Sequence, residues 1–211
     1  ADAQGYGRCY GAGCMAILSK HPILTQEVRD YATLLWRDLP GALLPETDNG
    51  PFPSAEALAV QRLSSHGHWA VPIEHPTLGR ITLMTFHASP PVFDGPEDRN
   101  GKRNHDEVAF WSRLLDGQLG PTPTPPFVLA GDANLDPKKG DGRSEAIRAL
   151  LAHPMLQDPL PDHTTVTWTQ TGPMRVDYVL PSADWSVTAA GVMPSAPEAS
   201  RHSLVWVTLT K

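Results

Sequence analysis

Five polar residues stand at the ends or in the interior of apolar segments that are typical of β-strands. They are His87, Asp132, Asn134, Asp177 and His202. Burying an unpaired carboxylate, amide or imidazole costs on the order of a few kcal/mol, so each of these side chains needs a partner. One such residue alone is most often a satisfied structural group, but a shared site explains all five at once. The sequence therefore predicts one convergent polar site.

The chemistry of this site follows from the residue types. Asp132 and Asn134 come directly after the apolar run 127–131 and offer oxygen atoms that suit a hard cation such as Mg²⁺, Mn²⁺ or Ca²⁺. Such a cation polarises phosphoryl oxygens. Asp177 can hold the imidazole of His202, which fixes its tautomer and raises its pKa, so His202 can act as a general base or bind phosphoryl oxygens. This combination predicts phosphoester hydrolysis.

The strands that must position these residues are predicted from apolar alternation. Residues 68–75 and 81–91 predict two strands joined by a turn, and His87 lies towards the end of the second. Further strands are predicted at 127–131, 165–170, 174–182, 185–193 and 202–210.

Helical spacing of apolar residues predicts helices at 103–120 and 143–153, and Ser54 is a candidate N-cap for a short helix at 55–63. Residues 25–41 fit neither period and could form a helical turn or a strand. Strands follow strands, with helices inserted at intervals. This order favours an α+β layered sandwich over a strictly alternating parallel fold.

Composition limits the class of protein. The 211 residues are 40% hydrophobic and contain no run near the roughly 18 apolar residues that cross a bilayer. The 22 prolines and 17 glycines are scattered, which favours a single domain over residues 1–211, and we expect a monomer. A net charge of −6 argues against a general polyanion-binding surface but allows a local basic groove.

Cys9 and Cys14 are the two cysteines of the chain. They could close a small disulfide loop or remain free thiols, and a disulfide would imply an oxidising compartment. On this basis an extracytoplasmic location is slightly favoured over a cytoplasmic one.

Five segments together resemble the endonuclease/exonuclease/phosphatase superfamily of deoxyribonuclease-like metal-dependent phosphoesterases. In chain order they are LSKHPI (18–23), LMTFHASPP (83–91), LAGDANLDP (129–137), TWTQTGPMRVDYVL (167–180) and ASRHSLVWVTL (199–209). Each segment alone is a weak signal, whereas the ordered set is specific. The resemblance implies a sandwich of two mixed β-sheets flanked by helices, with the site at the strand ends.

The resemblance also implies roles for the site residues. Asp132 and Asn134 would contact the metal or orient the attacking water, and Asp177 would pair with His202. His202 would bind the scissile phosphate or act as base, and it joins Asp132 and Asn134 as an expected metal ligand. His87 would face the phosphate from the opposite side as a candidate acid. Nucleic acid and small phosphodiesters are both substrates within the family.

The chain departs from the family pattern in the last motif. Where the family usually has Ser-Asp-His, this sequence has Ser200-Arg201-His202, so a guanidinium replaces a carboxylate expected near the metal. Arg201 could contact a substrate phosphate or point away from the site. We expect an intact site with altered ligation and count Arg201 as substrate-binding.

The second departure is at the N-terminus. Only 14 residues precede Met15, and they do not contain the family's strands with an Asn and a metal-binding Glu. We expect an upstream segment to be absent from this sequence. Glu27 follows the matching segment and is not assigned the metal-binding role. Both departures suggest an alternative function, a catalytically impaired relative that acts as a binding or scaffold domain.

Other residues near the site carry weaker expectations. Arg99 and Asn100, in the charged loop that follows His87, are candidate substrate-binding residues. His66 and His68 could be metal ligands on one face of a strand, but no third ligand is nearby and a solvated loop is favoured. Trp168 is expected to pack on a strand face rather than to form a substrate platform.

Overall fold

The structure is a computed structural model that describes residues 15–196 and 198–211. Cys9 and Cys14 lie outside the described residues, so their pairing stays a prediction. The helices are α1 Ala55–Val60, α2 Arg99–Leu115 and α3 Glu145–Leu151, with short 3₁₀ helices at Thr25–Glu27 and Trp36–Asp38. The strands are β1 Arg29–Asp30, β2 Glu46–Thr47, β3 Gly50–Pro51, β4 His68–His75, β5 Gly79–His87, β6 Phe127–Asp132, β7 Val166–Trp168, β8 Gly172–Met174, β9 Asp177–Pro181, β10 Ser186–Met193 and β11 Leu204–Thr210.

A mixed five-stranded sheet lies at the centre, in the order β1-β4-β5-β6-β9. β5 and β6 are parallel, and the other neighbouring strands are antiparallel. β10 and β11 form a separate antiparallel pair, and β11 lies against β9. The predicted α+β class with mixed sheet structure is confirmed. Among the described residues, no helix combines the length and apolar character that crossing a bilayer requires.

One face of the central sheet carries the hydrophobic core. Met84, Phe127 and Leu129 are almost fully buried together with Trp111 and Leu114 of α2. Side chains alternate between the faces of a strand, so the neighbours of these residues point the other way. That opposite face is only half-buried, and it carries the polar ends of β5, β6 and β9.

The helix boundaries follow from local hydrogen bonds. Ser54 caps α1 as predicted, since its Oγ accepts from the backbone N–H of Ala57 at 3.1 Å. α2 begins at Arg99, four residues before the predicted start. A carboxylate outside the helix explains the difference, because Asp94 Oδ2 accepts from the backbone N–H groups of Asn100 and Gly101 in its first turn.

The predicted strand 174–182 is two strands that join different sheets. β8 pairs with β7 in a hairpin, whereas β9 pairs with β6 of the central sheet. The break falls at Arg175, whose N–H donates to Asp136 Oδ2 at 2.6 Å and whose guanidinium binds both carboxylate oxygens of Asp158 at 2.6 and 2.7 Å. These side-chain partners take the place of ladder hydrogen bonds. The ambiguous segment 25–41 contains the two 3₁₀ helices and β1.

Gly131 of β6 pairs with Phe86 of β5 and leaves no room for a side chain. A Cβ at this position would overlap the carbonyl oxygen of Phe86 and lie 2.7 Å from its Cδ1. We expect Gly131→Ala to force the strands apart and to lower the free energy of unfolding by about 1–3 kcal/mol, measured by urea denaturation. An unchanged urea midpoint would contradict this packing of β5 on β6.

Candidate active site

The strand register places three of the predicted site residues side by side. His87, the last residue of β5, pairs with Asp132, the last residue of β6, and Asp132 pairs with Asp177, the first residue of β9. Paired residues on neighbouring strands point to the same face of a sheet. We call this arrangement the polar row, and it lies on the half-buried face.

His202 reaches the polar row from the segment before β11. Its Nδ1 lies 2.9 Å from Asp177 Oδ2 and 3.1 Å from Oδ1. This hydrogen bond is the main cause of a raised pKa for His202, and partial burial opposes it. Since Nδ1 is engaged by the carboxylate, Nε2 is the ring nitrogen left to act on a ligand.

Asp132 lies in a position that disfavours its charge. Burial first, and then the negative charge of Asp177, raise the pKa of Asp132 to about 7. The backbone N–H of Asn134, which donates to Asp132 Oδ1 at 2.7 Å, acts in the opposite direction. Two neighbouring carboxylates of this kind need either a proton or a cation between them.

The donor set fits a divalent cation. Asp132, Asp177 and His202 can each present one ligand atom, and these atoms lie within 4.8 Å of one another. Carboxylate oxygens suit hard divalent cations, and burial, followed by the charge of Asp177, raises the pKa of Asp132. The identity of the ion stays a prediction.

Asn134 supports the carboxylate beside it. Its backbone adopts a left-handed conformation with φ of 47°, which asparagine tolerates better than most residues. Its Nδ2 donates to the carbonyl of Ala88 at 2.9 Å and to Asp132 Oδ2 at 3.3 Å. Asn134 therefore links the ends of β5 and β6, and its predicted role as a metal ligand remains a prediction.

His87 faces Asp132 across the row, with its Nε2 3.6 Å from Asp132 Oδ2. Burial, followed by the proximity of His66, lowers the pKa of His87 to about 4, so the imidazole is neutral at pH 7. The two rings are stacked, with centroids 4.0 Å apart and planes 10° from parallel.

The expected solvated loop at His66 and His68 is wrong. His66 is half-buried against His87, and His68 is 1% exposed, with its ring nitrogens bonded to Ser64 Oγ and the Glu107 carbonyl. The signal that could have placed His66 is the hairpin register. Because His68 pairs with Phe86, a residue two positions earlier lies beside the end of β5.

Polar residues of α2 hold the loops around the site, and nothing in the sequence pattern indicated them. The buried carboxylate of Glu107 accepts from the Ser65 N–H at 2.6 Å and from the N–H and Oγ of Ser89 at 2.6 and 2.7 Å. Asn104 donates to the carbonyls of Ser89 and Ala133 at 2.7 and 2.8 Å. These bonds anchor the chain next to His66, after β5 and after β6.

The three expected substrate-binding residues lie on two segments, Arg99 and Asn100 at the start of α2 and Arg201 before β11. Arg99 Nη2 is 3.4 Å from Gln61 Oε1, and the buried Asn100 donates to the Val92 carbonyl at 2.8 Å. These contacts hold the loop before α2, so a substrate role for Arg99 and Asn100 remains a prediction. Arg201 is exposed, with its guanidinium 4.7 Å above the ring of Trp168.

Glu27 lies far from the polar row. It pairs with Arg80 at 2.8 Å, near the start of β5. Seven residues separate Arg80 from His87, or about 23 Å along the strand. This position agrees with leaving Glu27 out of the metal site.

Comparisons with known proteins were made on sequence and on structure. The family model described as Endonuclease/Exonuclease/phosphatase family matches residues 3–202. A search of curated proteins found no match. An endonuclease/exonuclease/phosphatase structure from Beutenbergia cavernae is 17% identical with a TM-score of 0.60, over 90% of this chain and 46% of that one. Our chain thus spans about half of that protein's length.

Two further structures from the same family are similar. That from Bacteroides vulgatus is 13% identical with a TM-score of 0.53, over 90% of this chain and 67% of that one. A family protein from Bacteroides thetaiotaomicron is 14% identical with a TM-score of 0.51, over 90% of this chain and 64% of that one. At these identities the similarity supports the fold.

The raised pKa of Asp132 predicts a pH-dependent stability for the metal-free protein. A carboxyl with a pKa of 3.8 when unfolded and about 7 when folded favours the folded state below the lower value. That contribution is lost as pH rises through the folded-state pKa. From about pH 5 to about pH 8, we expect the unfolding free energy in urea with EDTA to fall about 2–3 kcal/mol more for the parent than for Asp132→Asn. Parallel pH profiles would contradict the shift.

Thr165 forms hydrogen bonds with the segments that carry Asp177 and His202. This buried residue accepts at Oγ1 from the N–H groups of Val176 and Asp177 at 3.0 and 3.1 Å, and its carbonyl accepts from the Ser203 N–H at 2.7 Å. Thr165→Val keeps the shape and removes the acceptor. We expect it to lower the unfolding free energy by about 1–3 kcal/mol in urea, because two buried N–H groups lose their partner.

The matched control is Thr165→Ser, which retains the hydroxyl and should lose less stability than the valine variant. If serine were the more destabilising of the two, packing of the methyl group rather than hydrogen bonding would be the role of Thr165.

Proposed function

We propose that this chain, which belongs to the endonuclease/exonuclease/phosphatase family of metal-dependent phosphoesterases, hydrolyses a phosphodiester or phosphomonoester by attack of an activated water. The observation that carries the proposal is the His202–Asp177 pair at 2.9 Å beside the carboxylate of Asp132. An oriented imidazole and a site for a hard cation are the two components that this hydrolysis requires.

A divalent cation, Mg²⁺ or Mn²⁺, would polarise the phosphoryl oxygens and stabilise the leaving oxygen when bound. Asp132 would hold it, with Asn134 as the other expected contact, whereas His202, whose Nδ1 is engaged by Asp177, has Nε2 alone to offer and keeps it for proton transfer. The hydrogen bonds from Asn134 fix the orientation of the Asp132 carboxylate. Burial raises the pKa of Asp132 to about 7, so Asp132 would have to lose its proton to hold the cation, and affinity for the ion would rise with pH.

His202 acts as the general base in this proposal. Asp177 fixes the ring through Nδ1, leaves Nε2 to take a proton from water, and stabilises the imidazolium that results. The hydrogen bond to that carboxylate raises the pKa of His202 and so favours the protonated imidazole relative to a free histidine. That form binds phosphoryl oxygens, and activity requires the neutral form.

His87 contributes as a neutral hydrogen-bond donor rather than as the acid expected from the sequence. With its pKa lowered to about 4, His87 carries no transferable proton near neutral pH. A neutral imidazole still has one N–H to offer to a phosphoryl oxygen. Stacking on His66 limits rotation of the ring and so fixes where that donor points.

The proposal is tested by hydrolysis of bis-p-nitrophenyl phosphate by the full chain with Mg²⁺ or Mn²⁺. We expect metal-dependent release of p-nitrophenol that EDTA abolishes. Asp132→Ala and His202→Gln should each lower kcat by about 10²–10⁴-fold, because one removes the cation's carboxylate and the other the base.

The matched controls are Asp48→Ala in the β2–β3 turn and His75→Gln at the opposite end of β4 from the site, and both should keep the parent's rate. No metal-dependent turnover, with Asp132→Ala indistinguishable from the parent, would instead support the binding or scaffold function.

A further inference from the structure

We propose that Arg201 and the cleft beside it form a subsite for a second phosphate of the substrate, next to the phosphate that His202 meets. The inference rests on the proposed function and adds a substrate class to it, esters that carry at least two phosphates. It begins from the departure in the last motif, where Arg201 stands in place of a carboxylate.

The composition of the cleft suits an anion. Its volume is about 250 Å³, and it is lined by one cationic side chain, four side chains with hydroxyl groups and one apolar side chain. They are Arg201, Thr164, Thr167, Ser195, Ser203 and Val166. Within the part of the chain that the structure describes, no carboxylate lines the cleft. A guanidinium with several hydroxyls is a typical set of donors for phosphate.

Arg201 is held in place without being neutralised. Its guanidinium lies 4.7 Å above the Trp168 ring, and no carboxylate of the described residues pairs with it. Trp168 in turn packs against the small core cluster of Val166, Met174 and Val176. Stacking on an aromatic ring leaves the in-plane N–H donors of a guanidinium available to a ligand. Because the Arg201 side chain is already ordered on Trp168, binding a ligand costs it little conformational entropy. Its guanidinium also retains its positive charge.

The cleft is adjacent to the candidate active site. Arg201 and Ser203 flank His202 in the sequence, and the Trp168 ring meets the His202 ring edge-on at a centroid distance of 5.5 Å. When one phosphate of a substrate lies at His202, a second phosphate of the same substrate is therefore within reach of Arg201.

The test uses two chromogenic substrates that differ in one phosphate. They are thymidine 5′-(p-nitrophenyl phosphate) and the same ester with an added 3′-phosphate, both assayed with the full chain and Mn²⁺. The readout is the ratio of their kcat/KM values. We expect the 3′-phosphate to raise kcat/KM by about tenfold in the parent and the ratio to fall towards one in Arg201→Met, which keeps the stem on Trp168 without the charge.

Arg80→Met is the matched control, since Arg80 is an exposed arginine near the other end of β5, and it should keep the parent's ratio. A third substrate with the 3′-phosphate as a methyl diester separates two sources of the second phosphate. Enhancement by the diester as well points to a nucleic-acid backbone, and enhancement by the monoester alone points to small bisphosphates. Equal kcat/KM values for all three substrates would overturn the subsite.

A binding measurement separates failure of the subsite from failure of the proposed function. Calorimetric titration with thymidine 3′,5′-bisphosphate and with thymidine 5′-phosphate needs no turnover. If no substrate is hydrolysed, the proposed function fails, while tighter, Arg201-dependent binding of the bisphosphate still supports the subsite. Equal affinity of the parent for both nucleotides would overturn it.

Discussion

The register between β5, β6 and β9 is the constraint on which the site depends. It sets His87, Asp132 and Asp177 in one row on one face of the sheet, with residues from three distant parts of the chain. Because side chains alternate along a strand, a slip of one residue would move a carboxylate into the hydrophobic core. The apolar residues on the other face therefore fix the position of the polar row. The same strand pairings therefore determine both the stability of the fold and the geometry of the site.

Placing the carboxylates of Asp132 and Asp177 next to each other has an electrostatic cost. Their nearest oxygen atoms lie within 4.8 Å of each other. Like charges this close repel by roughly a few kcal/mol at a moderate effective dielectric, and burial adds to that cost. The folded protein relieves the repulsion in two ways, since Asp132 retains a proton near neutral pH and Asp177 shares its charge with His202. A cation would relieve it more fully. The repulsion between the two carboxylates would thus favour binding of a metal in the proposed function.

The polar side of α2 shows where sequence reasoning reached its limit. The apolar spacing predicted the helix, and the ends of apolar runs predicted the polar row, because both are local patterns. Glu107, His66 and Thr165 act through contacts with residues far away in the sequence, which a local pattern does not encode. The break at Arg175 has the same origin, since Asp136 and Asp158 supply its partners from other segments. Local rules recovered the elements, and tertiary hydrogen bonds decided their ends.

Arg201 changes the electrostatics of the site in two opposite directions. A guanidinium in place of a carboxylate removes one negative charge and adds a positive one near Asp132 and Asp177, which weakens the attraction for a divalent cation. The same change strengthens the attraction for an anionic substrate in a chain whose net charge is −6. Because Arg201 rests on Trp168 rather than on the carboxylates, it does not occupy the position of the cation. In the proposed function the site could therefore hold a cation and an anionic substrate together, with Arg201 supplying part of the positive charge that neutralises the substrate.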